Sequence, residues 1–390
     1  MGHIRVTDPK GGSDQSGLRD QNARLVLSYI RRHGAMASAE IARRSGLSAQ
    51  TVSNIVRALE GDGLLQREEA VKGRVGKPSV PMALRPDGVH GLGLSIGRRS
   101  LELVLVDFKG QQLDAEVIAY GFPTCGGVYD FVREQLPELL IRNGVSIEKV
   151  AGLGVARPNR IWEWGEFINA PSNAIEDWKS VDLAQELGAL TGLDIVVEND
   201  ATAACVAEHL LGRGHDLPDF AYFFLGAFVG GGLVLDGKVI SGRSHNAAAL
   251  GPLPVPDGKG GMRQLLDVAS LHVLESAVTA AKLDGDDLRS VASDWNNFEP
   301  ALSDWIDMTG YNLAIASVAI ASVVEVEAIL IDGAFPPIVR ERLTARIRDA
   351  FGQLQITGIE IPTIEPAEVG RRARSVGAAL LPIHAGYFVN

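Results

Sequence analysis

The chain has 390 residues, of which 46% are hydrophobic and 22% charged, and its formal net charge is −11. Single hydrophobic cores rarely grow past roughly 250–300 residues, so this length predicts two or three domains. The two cysteines, Cys125 and Cys205, lie far apart and have no metal-ligand spacing, which indicates a reducing, cytoplasmic compartment and argues against disulfides. The most apolar run, residues 313–324, is too short to span a membrane.

Charge is distributed unevenly along the chain. Residues 1–90 carry 14 Lys/Arg and 9 Asp/Glu, whereas the remainder carries 23 and 39. A basic module on an acidic body predicts that the N-terminal part binds nucleic acid and that the body does not. Residues 1–17 are polar and bear glycine and serine, so they are expected to form a disordered arm.

Residues 18–86 are predicted to form a winged helix–turn–helix domain. Helices are expected over 22–32, 39–44 and 49–61, with a turn at Gly46 and an N-cap at Ser48. Apolar side chains of the third helix fall at helical spacing and should pack inward, which leaves polar side chains free to contact the DNA major groove. Gln and Asn can bond adenine bidentately, and Ser and Thr can reach phosphates or base edges. The DNA-contacting residues predicted on this helix are Ser48, Gln50, Thr51, Ser53, Asn54 and Arg57.

A basic wing is predicted after the third helix. Two short strands, over 64–67 and 79–84, flank a glycine-rich tip that includes Arg74 and Lys77. Such a tip can enter a minor groove or lie along phosphates. A polar helix face is often only solvated surface, and a basic hairpin tip is often only a turn. Taken together with the local charge excess, however, the two features predict a double-stranded DNA operator as partner.

Residues 88–390 show strand pairs that alternate with helices twice over. Strands are expected over 91–97, 101–107, 150–156, 195–197, 220–225, 231–236 and 328–333, and helices over 128–142, 181–191, 265–283, 302–324 and 373–381. This pattern predicts an α/β fold of two lobes with a cleft between them. The first lobe is expected to comprise residues 88–212 and 371–390, and the second lobe residues 213–370.

The strand at 195–197 ends in Glu198, Asn199 and Asp200, directly before an alanine-rich helix. Ligands of α/β folds bind at the carboxyl ends of strands, so Asp200 is placed where a general base could act on a substrate hydroxyl. The alternative is that Asp200 is the N-cap of the helix, which stabilises a helix by about 0.5–2 kcal/mol.

Several motifs of the chain resemble those of the ROK family, which contains repressors, uncharacterised reading frames and sugar kinases. The matching segments are 198–201 with Ala204 and Glu208, the glycines at 230–232, residues 377–379, and the basic wing at 73–78. The resemblance extends from about Asn22 to Ala379 and is to the repressor branch, which carries a winged helix in front. It implies the two-lobed actin-like ATPase fold, which is related to ribonuclease H.

Kinases of this family hold magnesium and phosphate in two loops, and the resemblance implies that both loops are altered here. Ser95 stands in place of a metal-binding Asp, Arg98 replaces a glycine, and Phe228 ends what is a Gly-Thr-Gly loop in the kinases. Phosphoryl transfer depends mainly on positioning the metal and the phosphates. The resemblance therefore implies a body without catalysis or cofactor, in which Asp200 is a vestigial base.

The sugar-binding and zinc-binding segments of the family are also altered. Ala249 and Pro252 replace a Glu and a His that contact sugar, and the zinc loop, here residues 257–265, lacks cysteine, so no metal is expected. The effector-binding residues predicted from the resemblance are Asn173, Asn199, Asp200 and Asp267. The ligand is expected to be a sugar or sugar derivative, whose identity stays open. Trp162, Trp164 and Trp178 either stack on it or pack in the core.

Two functions are predicted as alternatives. The first is a DNA-binding transcriptional repressor of a carbohydrate-related operon, a homodimer or homotetramer whose non-catalytic body binds a sugar-like effector. The second is an active ATP-dependent sugar kinase with an accessory DNA-binding head.

Overall fold

The computed structural model describes residues 15–69, 80–164, 170–285, 288 and 294–389. Helices long and apolar enough to cross a membrane do not occur among these residues. The chain divides into two compact units. The first unit extends to Val155 and also includes residues 162–197 and those from Ala378 onward, and the second comprises residues 156–161 and 198–377. The lobe boundaries at 212 and 370 stay a prediction.

The N-terminal head folds as three helices followed by a two-stranded sheet. Its elements are α1 (Gln15–His33), α2 (Ser38–Ser45), α3 (Ala49–Gly61), β1 (Leu65–Arg67) and β2 (Met82–Leu84). Gly46 ends α2 with a φ of 71°, a conformation that glycine adopts at little cost. The apolar side chains of α3 are buried, as their spacing predicts: Val52, Ile55, Val56 and Leu59.

The first helix of the head is held by the C-terminal residues, within the same unit. A guanidinium nitrogen of Arg24 donates to the carbonyl of Ala385 at 3.2 Å, and the backbone amide of Val389 donates to the Ser28 hydroxyl at 3.0 Å. The guanidinium of Arg31 lies 4.6 Å from the centroid of the Phe388 ring, and burial lowers the pKa of Arg31 to about 10. Residues 385–389 therefore hold α1 through two hydrogen bonds and a cation–π contact.

The body of the first unit is built on a five-stranded sheet. Its elements are β3 (His90–Ile96), β4 (Ser100–Val106), β5 (Gln112–Ala119), α4 (Cys125–Arg142), β6 (Val150–Arg157), α5 (Ser172–Ile175), α6 (Leu183–Thr191) and β7 (Ile195–Asn199). The strand order is β5-β4-β3-β6-β7, and β3, β4 and β5 form an antiparallel meander. Every residue of β3 is buried, which explains its apolar sequence.

The second unit contains a sheet of the same strand order. Its elements are α7 (Asp200–Leu211), β8 (Phe220–Leu225), β9 (Val229–Leu235), β10 (Lys238–Val239), β11 (Pro254–Pro256), β12 (Met262–Gln264), α8 (Leu266–Ala269), α9 (Leu271–Ala280), α10 (Ala301–Ala321), β13 (Ala328–Gly333), α11 (Pro337–Gln353) and β14 (Thr363–Pro366). The last helix, α12 (Ala373–Tyr387), begins in the second unit, and its residues from Ala378 onward belong to the first. The order β10-β9-β8-β13-β14 repeats that of the first sheet, with β8 and β9 antiparallel and β8 and β13 parallel. Each unit thus contains one five-stranded sheet, and the two sheets have the same strand order, which confirms the prediction of two α/β halves.

The single helix predicted over 265–283 is wrong, because the chain breaks at Ser270 between α8 and α9. Ser270 is fully buried, its hydroxyl accepts from the amide of Val229 at 2.9 Å, and its carbonyl accepts from the indole of Trp305 at 3.2 Å. These partners are distant in sequence, so they stabilise a break that the local pattern does not indicate.

Two glycines of the recognised motifs allow α7 to pack closely on its neighbours. A Cβ at Gly232 of β9 would lie 2.3 Å from the Cβ of Cys205, and one at Gly377 of α12 would lie 1.7 Å from the carbonyl oxygen of Ala203. Because α7 begins at Asp200, these close contacts fix the position of the predicted effector-binding residues at its start.

Candidate functional site

The N-terminal end of α3 presents a set of polar side chains that bond to one another. The Ser48 hydroxyl accepts from the amide of Thr51 at 3.1 Å and caps the helix, as predicted. The Gln50 amide donates to Asn54 Oδ1 at 3.2 Å, and both side chains are exposed. Holding the two amides together on one face reduces the entropy lost when they bond a base.

The other DNA-contacting residues predicted from sequence differ in exposure and in how far the structure describes them. Arg57 is exposed one turn beyond Ser53, whereas Thr51 and Ser53 are half-buried. Arg74 and Lys77 of the wing lie outside the described residues. The contact of these residues with DNA stays a prediction.

At the start of α7, the N-cap is Asn199 and not Asp200, which corrects one of the two sequence-based interpretations. Asn199 has extended backbone angles, and its Oδ1 accepts from the amides of Ala201 and Thr202 at 3.0 and 3.2 Å. Asp200 is the first residue of the helix, and its Oδ1 accepts from the amide of Ala201 at 3.0 Å. The side-chain amide nitrogen of Asn199, Nδ2, and the second oxygen of Asp200 are thereby left for other partners.

The second oxygen of Asp200 faces a cation that the sequence did not reveal. Arg374 at the start of α12 places a guanidinium nitrogen 3.6 Å from it, and both side chains are 22% exposed. Burial raises the pKa of the Asp200 carboxyl above its ordinary value, and the charge of Arg374 opposes that rise. The same guanidinium lies 5.4 Å from the centroid of the Phe224 ring. The charge of Arg374 therefore limits the rise in the pKa of Asp200 but does not reverse it.

Replacing Asn199 should separate the two roles assigned to it. Asn199→Ala removes the acceptor of two amide protons and is expected to cost about 1 kcal/mol of stability. Asn199→Asp keeps that acceptor, so its urea midpoint should match that of the wild type, while its ligand affinity should fall because the amide donor is lost. A midpoint equally lowered in both variants would contradict the cap assignment.

The remaining effector-binding residues predicted from sequence are less well supported. Asp267 Oδ2 accepts from the amide of Gln264 at 3.3 Å and so stabilises the turn into α8. Asn173 lies in α5, and its side chain is outside the described residues. Trp178 is 1% exposed and donates to the carbonyl of Pro123 at 3.1 Å, so it is a core residue and the stacking hypothesis for it is wrong.

The loop at residues 226–228, predicted to be an altered phosphate loop, bonds internally. The Gly226 amide donates to the carbonyl of Phe228 at 3.2 Å, and the Gly226 carbonyl accepts from the amide of Leu271 at 3.0 Å. The Phe228 ring packs edge-on against His272, with centroids 5.3 Å apart. A phosphate-binding loop needs backbone amides that point at the ligand. The amide of Gly226 instead donates to a carbonyl of the same loop.

The carboxyl end of β13 in the second unit is filled by a buried ion pair. Asp332 is 0% exposed and accepts from Arg340 at 3.0 Å, from the Tyr222 hydroxyl at 2.9 Å and from the amide of Gly370 at 3.0 Å. Burial raises the pKa of the Asp332 carboxyl, against the effect of Arg340. The strand end at which a ligand would bind an α/β sheet is therefore occupied by side chains of the protein itself.

The segment that replaces the zinc loop is held by hydrogen bonds to Asp257. It joins β11 and β12, and Asp257 Oδ1 accepts from the amides of Lys259 and Gly261 at 2.7 and 2.9 Å. These bonds hold the pKa of Asp257 below its ordinary value. A group of three or more His, Cys, Asp or Glu side chains suited to a metal was not found in the part of the chain that the structure describes.

Sequence reasoning missed Arg374 and the pair Asp332–Arg340. A local signal for Arg374 existed, since it belongs to a run of arginines directly before the motif at 377–379. Its partner Asp200 is distant in sequence, however, and only the fold brings the two together.

Comparison with known families gives two matches, which divide the chain in the same way as the sequence motifs. A model described as the ROK family matches residues 91–385, and a model described as the MarR family matches residues 16–74. The first match covers well over half of the chain, and the second covers the head.

Individual relatives cover the chain more broadly. The N-acetylglucosamine repressor of Escherichia coli O6:H1 is 21% identical, over 80% of either chain. The crystal structure of a ROK family transcriptional regulator superposes with a TM-score of 0.71 at 23% identity, over 95% of this chain and 97% of that one. A ROK family glucokinase from Streptomyces griseus, solved with glucose and AMPPNP, gives a TM-score of 0.57 at 22% identity, over 75% and 98%. These likenesses confirm the predicted fold, an actin-like α/β body preceded by a winged helix.

Proposed function

The chain belongs to the ROK family, and on that premise we propose that it is a transcriptional repressor that binds a DNA operator of carbohydrate-related genes. The observation that carries the proposal is the recognition helix: Ser48 caps α3, and Gln50 and Asn54 are exposed and bonded side by side at its N-terminal end. That end of a helix–turn–helix enters the major groove, and amide side chains suit adenine. The likeness to an N-acetylglucosamine repressor supports the carbohydrate link.

The body acts as a sensor in this proposal. Asn199 and Asp200 bond to the hydroxyls of a sugar-like effector, with Asn173 and Asp267 as further candidates. A useful switch requires only ~1–3 kcal/mol of coupling between effector and DNA. Two heads of a homodimer or homotetramer would contact half-sites about 34–36 Å apart, one helical turn of DNA.

Salt dependence of DNA binding tests the head. Sites are selected from random duplexes with the full-length protein, and affinity is then measured by fluorescence anisotropy between 50 and 200 mM salt, the range over which phosphate contacts change affinity strongly, by ~10³–10⁵-fold for 6–10 contacts. Each phosphate contact contributes a slope of about −0.9 to log K against log salt. The double variant Arg74→Ala, Lys77→Ala should therefore bind more weakly, and its slope should be less negative than that of the wild type by about 1.8.

The matched comparison is Gln50→Ala combined with Asn54→Ala. These residues are proposed to contact bases, so this variant should keep the wild-type slope while losing roughly 1–3 kcal/mol of preference for the selected site over random DNA. An unchanged slope in the wing variant would contradict the wing assignment. Retained preference in the helix variant would contradict the assignment of α3.

The second candidate function, a sugar kinase with a DNA-binding head, is favoured by the presence of Asp200 and by the likeness to a glucokinase. We expect no ADP release above background with ATP, magnesium and a panel of hexoses, pentoses and amino sugars, because the Gly226 amide is bonded within its own loop and the end of β13 is filled by Asp332 and Arg340. Turnover that disappears in Asp200→Ala would overturn the proposal in favour of the kinase.

A further inference from the structure

An exposed polar loop lies between β10 and β11 of the second unit. The 241–247 loop is closed by the amide of Ala247, which donates to the carbonyl of Ser241 at 3.0 Å. The loop carries His245, whose side chain is 63% exposed. The loop directly precedes Ala249 and Pro252, where the resemblance places the sugar-contacting Glu and His that this chain lacks.

Two residues outside the loop hold it in place. Glu198, whose side chain is 8% exposed, accepts through Oε2 from the Ser241 hydroxyl at 2.9 Å and faces His245 Nδ1 at 3.4 Å. The other oxygen of Glu198 accepts from the amide of Asn199 at 2.8 Å. From the segment after β6, Asn159 donates to the carbonyl of His245 at 2.6 Å. The loop is therefore anchored on the residue that precedes the predicted effector-binding pair.

This arrangement has an energetic cost. His245 and Ala248 both have a φ of 52°, in the left-handed region that costs a residue with a side chain about 1–2 kcal/mol. Glu198 is a nearly buried carboxylate, which is also unfavourable unless it is well bonded. Strained backbone of this kind persists mainly at ligand-binding and catalytic sites.

We infer that His245 is an effector-contacting residue, positioned by Glu198, and that it replaces the sugar contacts missing at Ala249 and Pro252. A carboxylate facing Nδ1 favours the tautomer with its proton on Nδ1, which leaves the lone pair on Nε2, on the side of the ring away from Glu198. Such a nitrogen accepts a hydrogen bond from a hydroxyl group, so the ligand class is a neutral polyhydroxylated molecule. The inference rests on the proposed function, since it assigns a further contact to the effector site at Asn199 and Asp200.

Calorimetric titration of the full-length protein with N-acetyl-D-glucosamine, D-glucose and D-xylose tests the contact. For the sugar that binds the wild type, His245→Ala should raise Kd about 10-fold, the effect of losing one ligand hydrogen bond. His215→Ala is the matched control, because His215 is also an exposed histidine beside a carboxylate, Asp216 at 3.1 Å, and Kd should not change.

The outcomes separate the inference from the proposed function. Binding by the wild type that is unaffected in His245→Ala overturns the inference and leaves the sensor proposal standing. Failure of all three sugars to bind the wild type counts against the carbohydrate effector itself, and the inference then falls with it.

The positioning role of Glu198 has a separate readout that needs no ligand. Nitrogen-15 correlation spectra of the histidine rings distinguish a proton on Nδ1 from one on Nε2. His245 should carry it on Nδ1 in the wild type and should show a mixture of tautomers in Glu198→Gln, whose neutral amide holds that proton less strongly. A wild-type His245 protonated on Nε2 would overturn the positioning role.

Discussion

Gly377→Ala is expected to lower the stability of the second unit by about 3 kcal/mol, because overpacking of a filled contact costs ~1–3 kcal/mol or more. The added Cβ would lie 1.7 Å from the carbonyl oxygen and 2.5 Å from the carbonyl carbon of Ala203. Both are main-chain atoms of α7, so no side-chain rotation can relieve the clash and α7 and α12 must move apart. A urea titration followed by circular dichroism should show the loss as a lower midpoint.

The same helix provides the control. Gly386 also lies in α12, but a Cβ there meets nothing within 4 Å. Alanine is favoured over glycine inside helices by about 0.8–1 kcal/mol, so Gly386→Ala should leave the urea midpoint unchanged or raise it. Equal losses in the two variants would show that the contact with Ala203 is not the cause of the loss, since a Cβ at Gly386 meets no neighbour. A wild-type midpoint for Gly377→Ala would contradict the packing of α12 on α7.

The sequence predicted best those elements whose signals are local. The bounds of α3 agree with the prediction, because a serine cap, an apolar spacing and a closing glycine all lie within the helix itself. Helix α11 was missed although Val339, Leu343, Ile347 and Phe351 recur every four residues and are buried. Strand β5 was missed for a physical reason: Leu113 and Val117 are exposed, so its hydrophobic alternation does not mark a buried face.

In the candidate site too, residues marked by a local pattern could be predicted, whereas contacts between remote segments could not. Asn199 and Asp200 could be found from sequence, since a strand that ends in polar residues before a helix is a local pattern. The pairing of Asp200 with Arg374, and of Glu198 with the 241–247 loop, joins segments that are remote in sequence. Side chains that bond across such separations become visible only when the fold is known.

Arg340→Met is expected to destabilise the second unit by about 3–5 kcal/mol near pH 8, because it leaves the buried carboxylate of Asp332 without its cation. Arg340 is 13% exposed and lies 3.0 Å from Asp332, which is 0% exposed. The hydroxyl of Tyr222 and the amide of Gly370 would still donate to the carboxylate, but they carry no net charge. Urea midpoints of the wild type and the variant give the loss.

The loss should depend on pH in a direction set by the pKa of Asp332. Burial already raises that pKa above the value in the unfolded chain, about 3.9, so the folded state holds the proton more tightly. The stability that this carboxyl contributes is therefore present below the unfolded pKa and is lost as the pH rises through the folded pKa. Without Arg340 the folded pKa rises further, so the midpoint difference between variant and wild type should be smaller at pH 5 than at pH 8.

A second substitution decides whether charge or packing is responsible. Adding Asp332→Asn to Arg340→Met replaces the stranded carboxyl by a neutral amide of nearly the same shape, so stability should be partly recovered and the difference between pH 5 and pH 8 should vanish. Replacing both members of a buried ion pair is often tolerated better than replacing one. A double variant as unstable as Arg340→Met, with the same loss at both pH values, would mean that the aliphatic part of Arg340, and not its charge, supports the carboxyl end of β13.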